Sequence, residues 1–558
     1  MVEARDAGTA WSSRRAALVA RLASFVNSAP GWWCALGALV LLLLAPLVLN
    51  GFPPVLDYPN HLARLFILAR AGTAPVLDRI YAPHWSIIPD LGIDLIGPPL
   101  IPWLGVFRTG RLLLALALLA PLAVALAYSR LAFRTRLYTP MSAALISYNL
   151  FFVLGFMNYL LAVGLALAAG GLWIRLAARP AWLRAATGAC CACTLFFIHA
   201  FGVALFGLLA GGAEAQWWLA RRPGERLSTL HTPAIVLAAS FVPPVLLWWL
   251  TPRSAHDVAF GWSLTDKLFD LTSPFASYST DAGLAAALVF AILVAAQLGP
   301  AGRRLAPGAL IACAALGLGF AAADFAMAGG DFVDTRMPLM IAAVLCAAIG
   351  PAASPRAARR TTPLSLAAAA CGLVLTWWPA ARVWIGPNRP ATQLQACIAP
   401  VAPGSRVLVA MPRLDPGRVY WRHPPPGILA AGDLRIDFQL PALLVIERQA
   451  FWPLLFSDPA QHPVIVRRAY RALAAAQGFP PPLASLTAER SILPHWPAPY
   501  LKDWPSRFDD LLVIDAGAAR HLGGFMPGRL KLVDRSAYCA LFEIRHAGSV
   551  DGAATSGR

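Results

Sequence analysis

Apolar residues fill most of this chain in long segments, separated by short polar stretches that carry clusters of arginine. The first segment, Trp32 to Asn50, has no charge and is long enough to cross a bilayer. Further segments at 111–129, 138–155, 157–174, 185–199, 200–219, 232–250, 283–298, 306–322, 336–353 and 363–384 bring the expectation to about eleven spans. The clusters Arg130/Arg134/Arg136, Arg175/Arg179/Arg184, Arg221/Arg222/Arg226, Arg303/Arg304 and Arg356/Arg359/Arg360 fall between spans in a positive-inside alternation. That alternation puts the N-terminus inside and the C-terminus outside. The apolar run of the first span is followed by Asn50-Gly-Phe-Pro-Pro54 rather than a small-x-small site, so the span reads as a retained anchor and not a cleaved signal.

Three outer segments interrupt the pattern. Residues 51–110 are too many for a turn. They hold a short helical stretch from Pro59 to Arg70, with proline at a favoured first-turn position. A half-apolar stretch at 84–107 follows, broken by Pro89, Pro98, Pro99 and Pro102, which reads as a re-entrant or interfacial element. The second segment, 251–282, carries Asp257, Asp266, Lys267, Asp270 and Asp281, and the third, 323–336, carries Asp324, Asp331, Asp334 and Arg336. From about residue 388 the long spans stop. Val407–Met411, Leu511–Asp515, Leu530–Val533 and Tyr538–Ile544 read as strands and Val464–Gln477 as a helix. The expected organisation is a cytoplasmic segment 1–31, a transmembrane domain 32–387 with first outer loop 51–110, and a soluble α/β domain 388–558.

Composition agrees with this class. Of the 558 residues 58% are hydrophobic and 13% charged, the balance of a polytopic α-helical membrane protein. The formal charge of +18 suggests nucleic acid at first sight, but its placement between spans assigns it to membrane orientation instead. Seven of the nine cysteines (Cys34, Cys190, Cys191, Cys193, Cys313, Cys346, Cys371) lie in apolar segments, where cysteine serves as a small hydrophobe. Cys397 and Cys539 alone lie in the soluble region, and sequence leaves open whether they pair. No Gly-x-Ser-x-Gly, His-Glu-x-x-His or P-loop occurs, which argues against a soluble hydrolase.

The chemistry-bearing run is Asp57-Tyr-Pro-Asn-His61-Leu-Ala-Arg64, immediately beyond the first span. It sets a carboxylate, an imidazole and a guanidinium at one membrane surface. Arg64 and His61 stand three apart, hence on one helix face, where they would meet a phosphate at headgroup depth or snorkel to lipid. Asp57 also stands where a carboxylate caps the helix that begins near Pro59. Asp78, Asp90 and Asp94 read as solvated or capping residues, with a metal or acceptor role as the alternative.

In layout and in this motif the chain resembles the GT-C superfamily of integral-membrane glycosyltransferases. Softer points of likeness are Gly155-Phe-Met-Asn-Tyr159, His199 at an outer helix end and Thr335-Arg336-Met-Pro338. The resemblance implies transfer of a sugar from a polyprenyl-phosphate donor to an envelope lipid, glycan or protein on the outer face of a bacterial inner membrane. It implies Asp57 as catalytic base, and His61, Arg64 and Arg336 as ligands of the donor phosphate. Asn158, His199 and Asp331 are further candidates. Many relatives carry paired acids in the first loop, whereas here Tyr58 follows Asp57. Where metal-binding members place a second acid, this chain has Asn158, so no metal or other cofactor is expected. A transporter or flippase and a non-catalytic envelope-assembly scaffold are the competing readings. Against a transport route, almost no charge lies within the spans apart from Glu214, and no repeat relates the two halves.

Overall fold

The computed structural model describes residues 21, 24–25, 28–221, 226–252, 261–326, 330–385, 389–412, 435–476, 478–492, 498–518, 522 and 525–546. Most of the segment 1–31, Arg222, Asp257 and the polar tail from residue 547 lie outside the described residues. The chain is a multi-pass helical membrane protein. Helices Ala29–Leu49, Val106–Phe133, Met157–Arg175, Ala181–Ile198, His231–Trp249 and Thr280–Leu298, and the run within Leu364–Ile398, are long and apolar enough to cross a bilayer. Ala200–Leu219 and the shorter apolar helices Ala309–Ala322 and Arg336–Ala348 pack among them. Small residues let the helices approach. A Cβ at Gly171 would stand 3.0 Å from the Tyr128 Cα across the contact of Met157–Arg175 with Val106–Phe133. Glu214, expected near an inner helix end, is buried against Arg184 and accepts a 3.0 Å hydrogen bond from the Trp173 indole.

One expected span is not a helix. Residues 138–155 form a 3-10 segment, Thr139–Ile146, and a five-residue helix, Leu150–Leu154. The break has a local cause. The Asn149 side chain accepts from the Phe152 N–H and donates to the Ile146 carbonyl, substituting side-chain bonds for helical ones. Irregular backbone survives at this depth because the segment is enclosed by protein; every residue from Ala143 to Gly155 is buried.

The first loop folds as helices Tyr58–Arg70, Pro75–Ile80 and Gly92–Leu104, with a short strand at Tyr81–Pro83. Tyr58–Arg70, close to the expected 59–70, is an inner strut, with nine of its 13 residues buried. Gly92–Leu104 forms despite Pro98, Pro99 and Pro102 and leaves Leu95, Ile96 and Trp103 exposed, Trp103 at 85%. That face suits an interfacial helix.

The C-terminal region is built on a four-stranded sheet of order β2-β4-β6-β5, with β2 (Val407–Ala410) parallel to β4 (Asp510–Ile514) and β6 (Cys539–Ile544) antiparallel to both β4 and β5 (Leu530–Arg535). These match the four expected strands to within one or two residues at their ends. The helix expected over 464–477 is mostly absent. Val464–Val466 forms β3 and pairs antiparallel with β1, Tyr81–Pro83, in the first loop; only Arg468–Arg471 is helical. Pairing with a distant partner overrides local preference here. The region therefore docks on the first loop through a shared two-stranded sheet and through Asn60. The Asn60 amide donates to Gln439 Oε1 (2.9 Å) and to the Leu454 carbonyl (3.0 Å) and accepts from the Phe456 N–H (2.9 Å), with no exposed surface.

Replacing Asn60 by Leu leaves three buried polar groups of the C-terminal region unpaired. A loss of about 2 kcal/mol or more is expected, read as a lower thermal unfolding temperature of the purified protein in detergent.

Candidate functional site

Asp57 sits at the mouth of the loop, at the start of helix Tyr58–Arg70. Its backbone N–H donates to the Leu154 carbonyl (3.0 Å) and its carbonyl accepts from the His61 N–H (2.9 Å). The side chain makes no capping hydrogen bond and remains half-exposed. The expected capping role is thus not what the carboxylate does. Gly155 fixes its position. This glycine has φ +93°, and a Cβ there would meet both the Asp57 nitrogen and its Cβ at 3.1 Å. Burial pushes the Asp57 carboxyl up to about 8; Arg64 opposes the rise and Asp90 adds to it.

Asp90 and Asp94 are neither solvated nor caps, contrary to expectation. Asp90 is half-buried with a left-handed backbone, φ +76°, and burial pushes its carboxyl up to about 7, with Arg64 opposing. Asp94 is fully buried and takes Arg64 in a two-pronged ion pair, Nε–Oδ1 2.7 Å and Nη2–Oδ2 2.8 Å, in which neither side chain has exposed surface. The third guanidinium nitrogen, Nη1, lies 3.1 Å from His462 Nδ1. Arg64 is therefore committed to partners within the protein, not directed outward at headgroup depth.

His61 is also turned inward. Its Nε2 lies 3.2 Å from the Gly155 carbonyl and its Nδ1 has no partner. His61 and His462 are each held well below the usual histidine range, first by burial and then by Arg64, so both are neutral. Phe456 lies between them, stacked on His462 at 5.3 Å and edge-on to His61 at 5.7 Å.

Asn158 is a clamp. Its Oδ1 accepts from the Ile93 N–H (2.7 Å) and its amide donates to the Asp90 carbonyl (2.7 Å), which ties the start of helix Met157–Arg175 to loop 90–93. Its carbonyl oxygen is already engaged, and it serves to hold Asp90 in place.

Arg336, at the start of helix Arg336–Ala348, has a different environment from Arg64. Its guanidinium carbon stands over the rings of Phe156 (5.0 Å), Tyr159 (5.4 Å) and Phe201 (5.0 Å), and Nη1 lies 3.2 Å from His199 Nε2. His199 Nδ1 accepts from the Phe201 N–H (3.2 Å), capping helix Ala200–Leu219. Among the described residues no carboxylate lies within 4.0 Å of Arg336, and its Nε is buried without a partner. Asp334, two residues before it, is taken by Lys267. Asp331 is pushed up by burial, with Arg336 near enough to oppose that rise. Gly155 packs on Asp57 and the adjacent Phe156 lies under Arg336; the carboxylates near enough to act on the Arg336 charge are Asp90 and Asp331.

Sequence reasoning missed His462, Phe456 and Asn60. Nothing in the local sequence marks them, because their partners lie almost 400 residues away.

No protein-family model matches the chain, and no curated protein matches it. Among solved structures its fold is similar to two crystal structures of ArnT from Cupriavidus metallidurans. One is bound to undecaprenyl phosphate (TM-score 0.49, 12% identity, covering 92% of this chain and 98% of that one). The other is in the apo state (TM-score 0.47, 14% identity, covering 92% and 98%). It is also similar to the cryo-EM structure of the arabinofuranosyltransferase AftD from Mycobacteria (TM-score 0.45, 15% identity, covering 94% of this chain and 40% of that one). ArnT and AftD are members of the GT-C superfamily.

Gly155→Ala forces a side chain into the left-handed region against Asp57. The expected cost is about 1–3 kcal/mol, read as a fall in unfolding temperature. Gly37→Ala, where a Cβ has open space, serves as the control that does not fall.

Proposed function

We propose that this protein is a membrane glycosyltransferase that takes a sugar from a polyprenyl-phosphate donor and passes it to a hydroxyl of an envelope lipid, glycan or protein. The observation that carries the proposal is an uncommitted carboxylate, Asp57, and an arginine with no acid within 4.0 Å among the described residues, Arg336, packed on the adjacent residues Gly155 and Phe156 beside an interfacial helix. In the reaction the acceptor oxygen attacks C1 of the sugar and the bond from C1 to the donor phosphate oxygen breaks. Asp57 takes the acceptor proton, and the departing polyprenyl phosphate keeps the bonding electrons. Arg336 meets the phosphate charge with the N–H groups that the fold leaves unsatisfied. The tryptophan-bearing face of Gly92–Leu104 would lie against the acyl boundary beside the prenyl chain. Arg64 and Asp94 hold the loop in shape, and His61 and Asn158 pack it on Gly155 and Asp90. Asp57 would supply the base and Arg336 the phosphate contact, and the proposed mechanism uses no metal. A location in a bacterial inner membrane, with the C-terminal region outside, is part of the same reading.

The deciding experiment is deletion of the gene, complemented by wild type or Asp57→Asn at matched membrane levels, with envelope lipids and glycans profiled by mass spectrometry. The expected result is loss of one sugar-sized increment in the deletion and in Asp57→Asn, restored by wild type. The turnover of Asp57→Asn is expected to fall by roughly 10²- to 10⁴-fold. Full restoration by Asp57→Asn would remove the catalytic assignment and favour a transport or scaffold role.

Two further outcomes are expected. A base held up to about 8 is inactive while protonated, so kcat/KM should climb with pH through about 8 and level off above it. Arg336→Ala should weaken undecaprenyl phosphate binding, measured on the detergent-solubilised protein, by roughly 10- to 100-fold. An unchanged affinity would remove Arg336 from the phosphate site.

A further inference from the structure

The two cysteines that lie outside the apolar segments come together. Cys397 is in the last turn of helix Arg389–Ile398, and Cys539 is the first residue of β6. This helix is the first described element after Pro355–Trp384, the last long helix of the bundle, and it packs against β6. Both cysteines are buried with no exposed surface. The Cys539 thiol donates to the Gln393 carbonyl at 3.4 Å, one helical turn before Cys397, and the two sulfurs, free thiols in the structure, are near enough to act on each other's titration. The Ser536 hydroxyl, 3.3 Å from the Cys539 sulfur, accepts from the Cys539 N–H at 3.0 Å and so fixes the approach. Among the described residues no group of three or more metal-ligating side chains forms, so the pair is not part of a metal site. Neither thiol belongs to the site around Asp57.

We propose that Cys397 and Cys539 form a structural disulfide that fastens the helix leaving the membrane to the C-terminal sheet. The bond is made while the region folds, before both sulfurs are buried, by exchange with the disulfide of an oxidised dithiol carrier. The thiolate of one cysteine attacks a carrier sulfur, breaking the carrier's S–S bond and forming a mixed disulfide. The second cysteine's thiolate then attacks the first cysteine's sulfur and expels the carrier. The pair loses two protons and two electrons, and the carrier leaves as a dithiol. The link joins residues far apart in sequence, so its effect on the unfolded chain is large. Its burial in the folded protein shields it from reductants. The proposal needs the C-terminal region to fold in an oxidising compartment; it does not depend on sugar transfer.

The test is thiol counting on the full-length protein in native membranes. These are dissolved in denaturant at low pH in the presence of a maleimide, and the intact mass is then measured with and without prior reduction. Seven of the nine cysteines are expected to react without reduction and all nine after it. Proteolysis without reduction should yield one linked peptide containing Cys397 and Cys539, two hydrogens lighter than its parts. Nine labels without reduction, or linkage of either cysteine to another, overturns the proposal. Cys397→Ser and Cys539→Ser should each give eight labels whether or not reductant is present. If neither variant accumulates, the wild-type count and the linked peptide still decide.

Discussion

A guanidinium taken wholly out of water survives only if its charge is met and its N–H groups are bonded. Arg64 meets both conditions through two other parts of the chain, Asp94 in the interfacial helix and His462 in the C-terminal region. Neither the Arg64 nor the Asp94 side chain has exposed surface, and His462 is buried beside them, so the arrangement stands or falls as a unit. Breaking a buried pair of this kind by removing one partner costs about 3–5 kcal/mol. The pair is weak evidence of net stability but strong evidence of fixed geometry, since the two-pronged contact admits one orientation of the first loop.

That fixed charge governs the titration of its neighbours. Burial favours the neutral forms of Asp57, Asp90 and Asp94, and Arg64 is the leading opposing influence on all three. It also keeps His61 and His462 neutral, since a second cation beside it is disfavoured. Asp57 differs from Asp94 in being half-exposed and uncommitted. The same desolvation that makes it a stronger base leaves it able to exchange its proton with a ligand rather than with an internal partner.

Much of the frame was legible because membrane spans declare themselves by length and apolarity, and strands by short alternating runs between turn residues. The interfacial helix, the strut beginning at Tyr58 and the four strands of the sheet all announce themselves locally. What failed were segments whose structure is decided by contacts that the apolar pattern does not display. Val464–Val466 looks helical in isolation and becomes a strand because Tyr81–Pro83 offers an unpaired edge. Residues 138–155 look like a span and are broken because buried Asn149 bonds its own backbone. Asp57 and Arg336 could be named from sequence, whereas the division of labour between the arginines could not. It depends on which acid lies beside which guanidinium, and Asp94 and Asp334 are both already paired, with Arg64 and Lys267.

The contrast between these two arginines is the clearest statement of what the site is arranged to do. Arg64 is surrounded by an acid and an imidazole, so an incoming anion would have to displace a satisfied ion pair. Arg336 is surrounded by aromatic faces, which tolerate a cation without neutralising it. Its imidazole neighbour is drawn into capping a helix, and its Nε has no partner. An unsatisfied buried N–H costs about 1–3 kcal/mol, and a phosphate oxygen placed there would relieve that cost while supplying the missing charge. The fold thus commits one arginine to shape and holds the other in readiness for an anion, with Asp90 and Asp331 as the acids near enough to act on it.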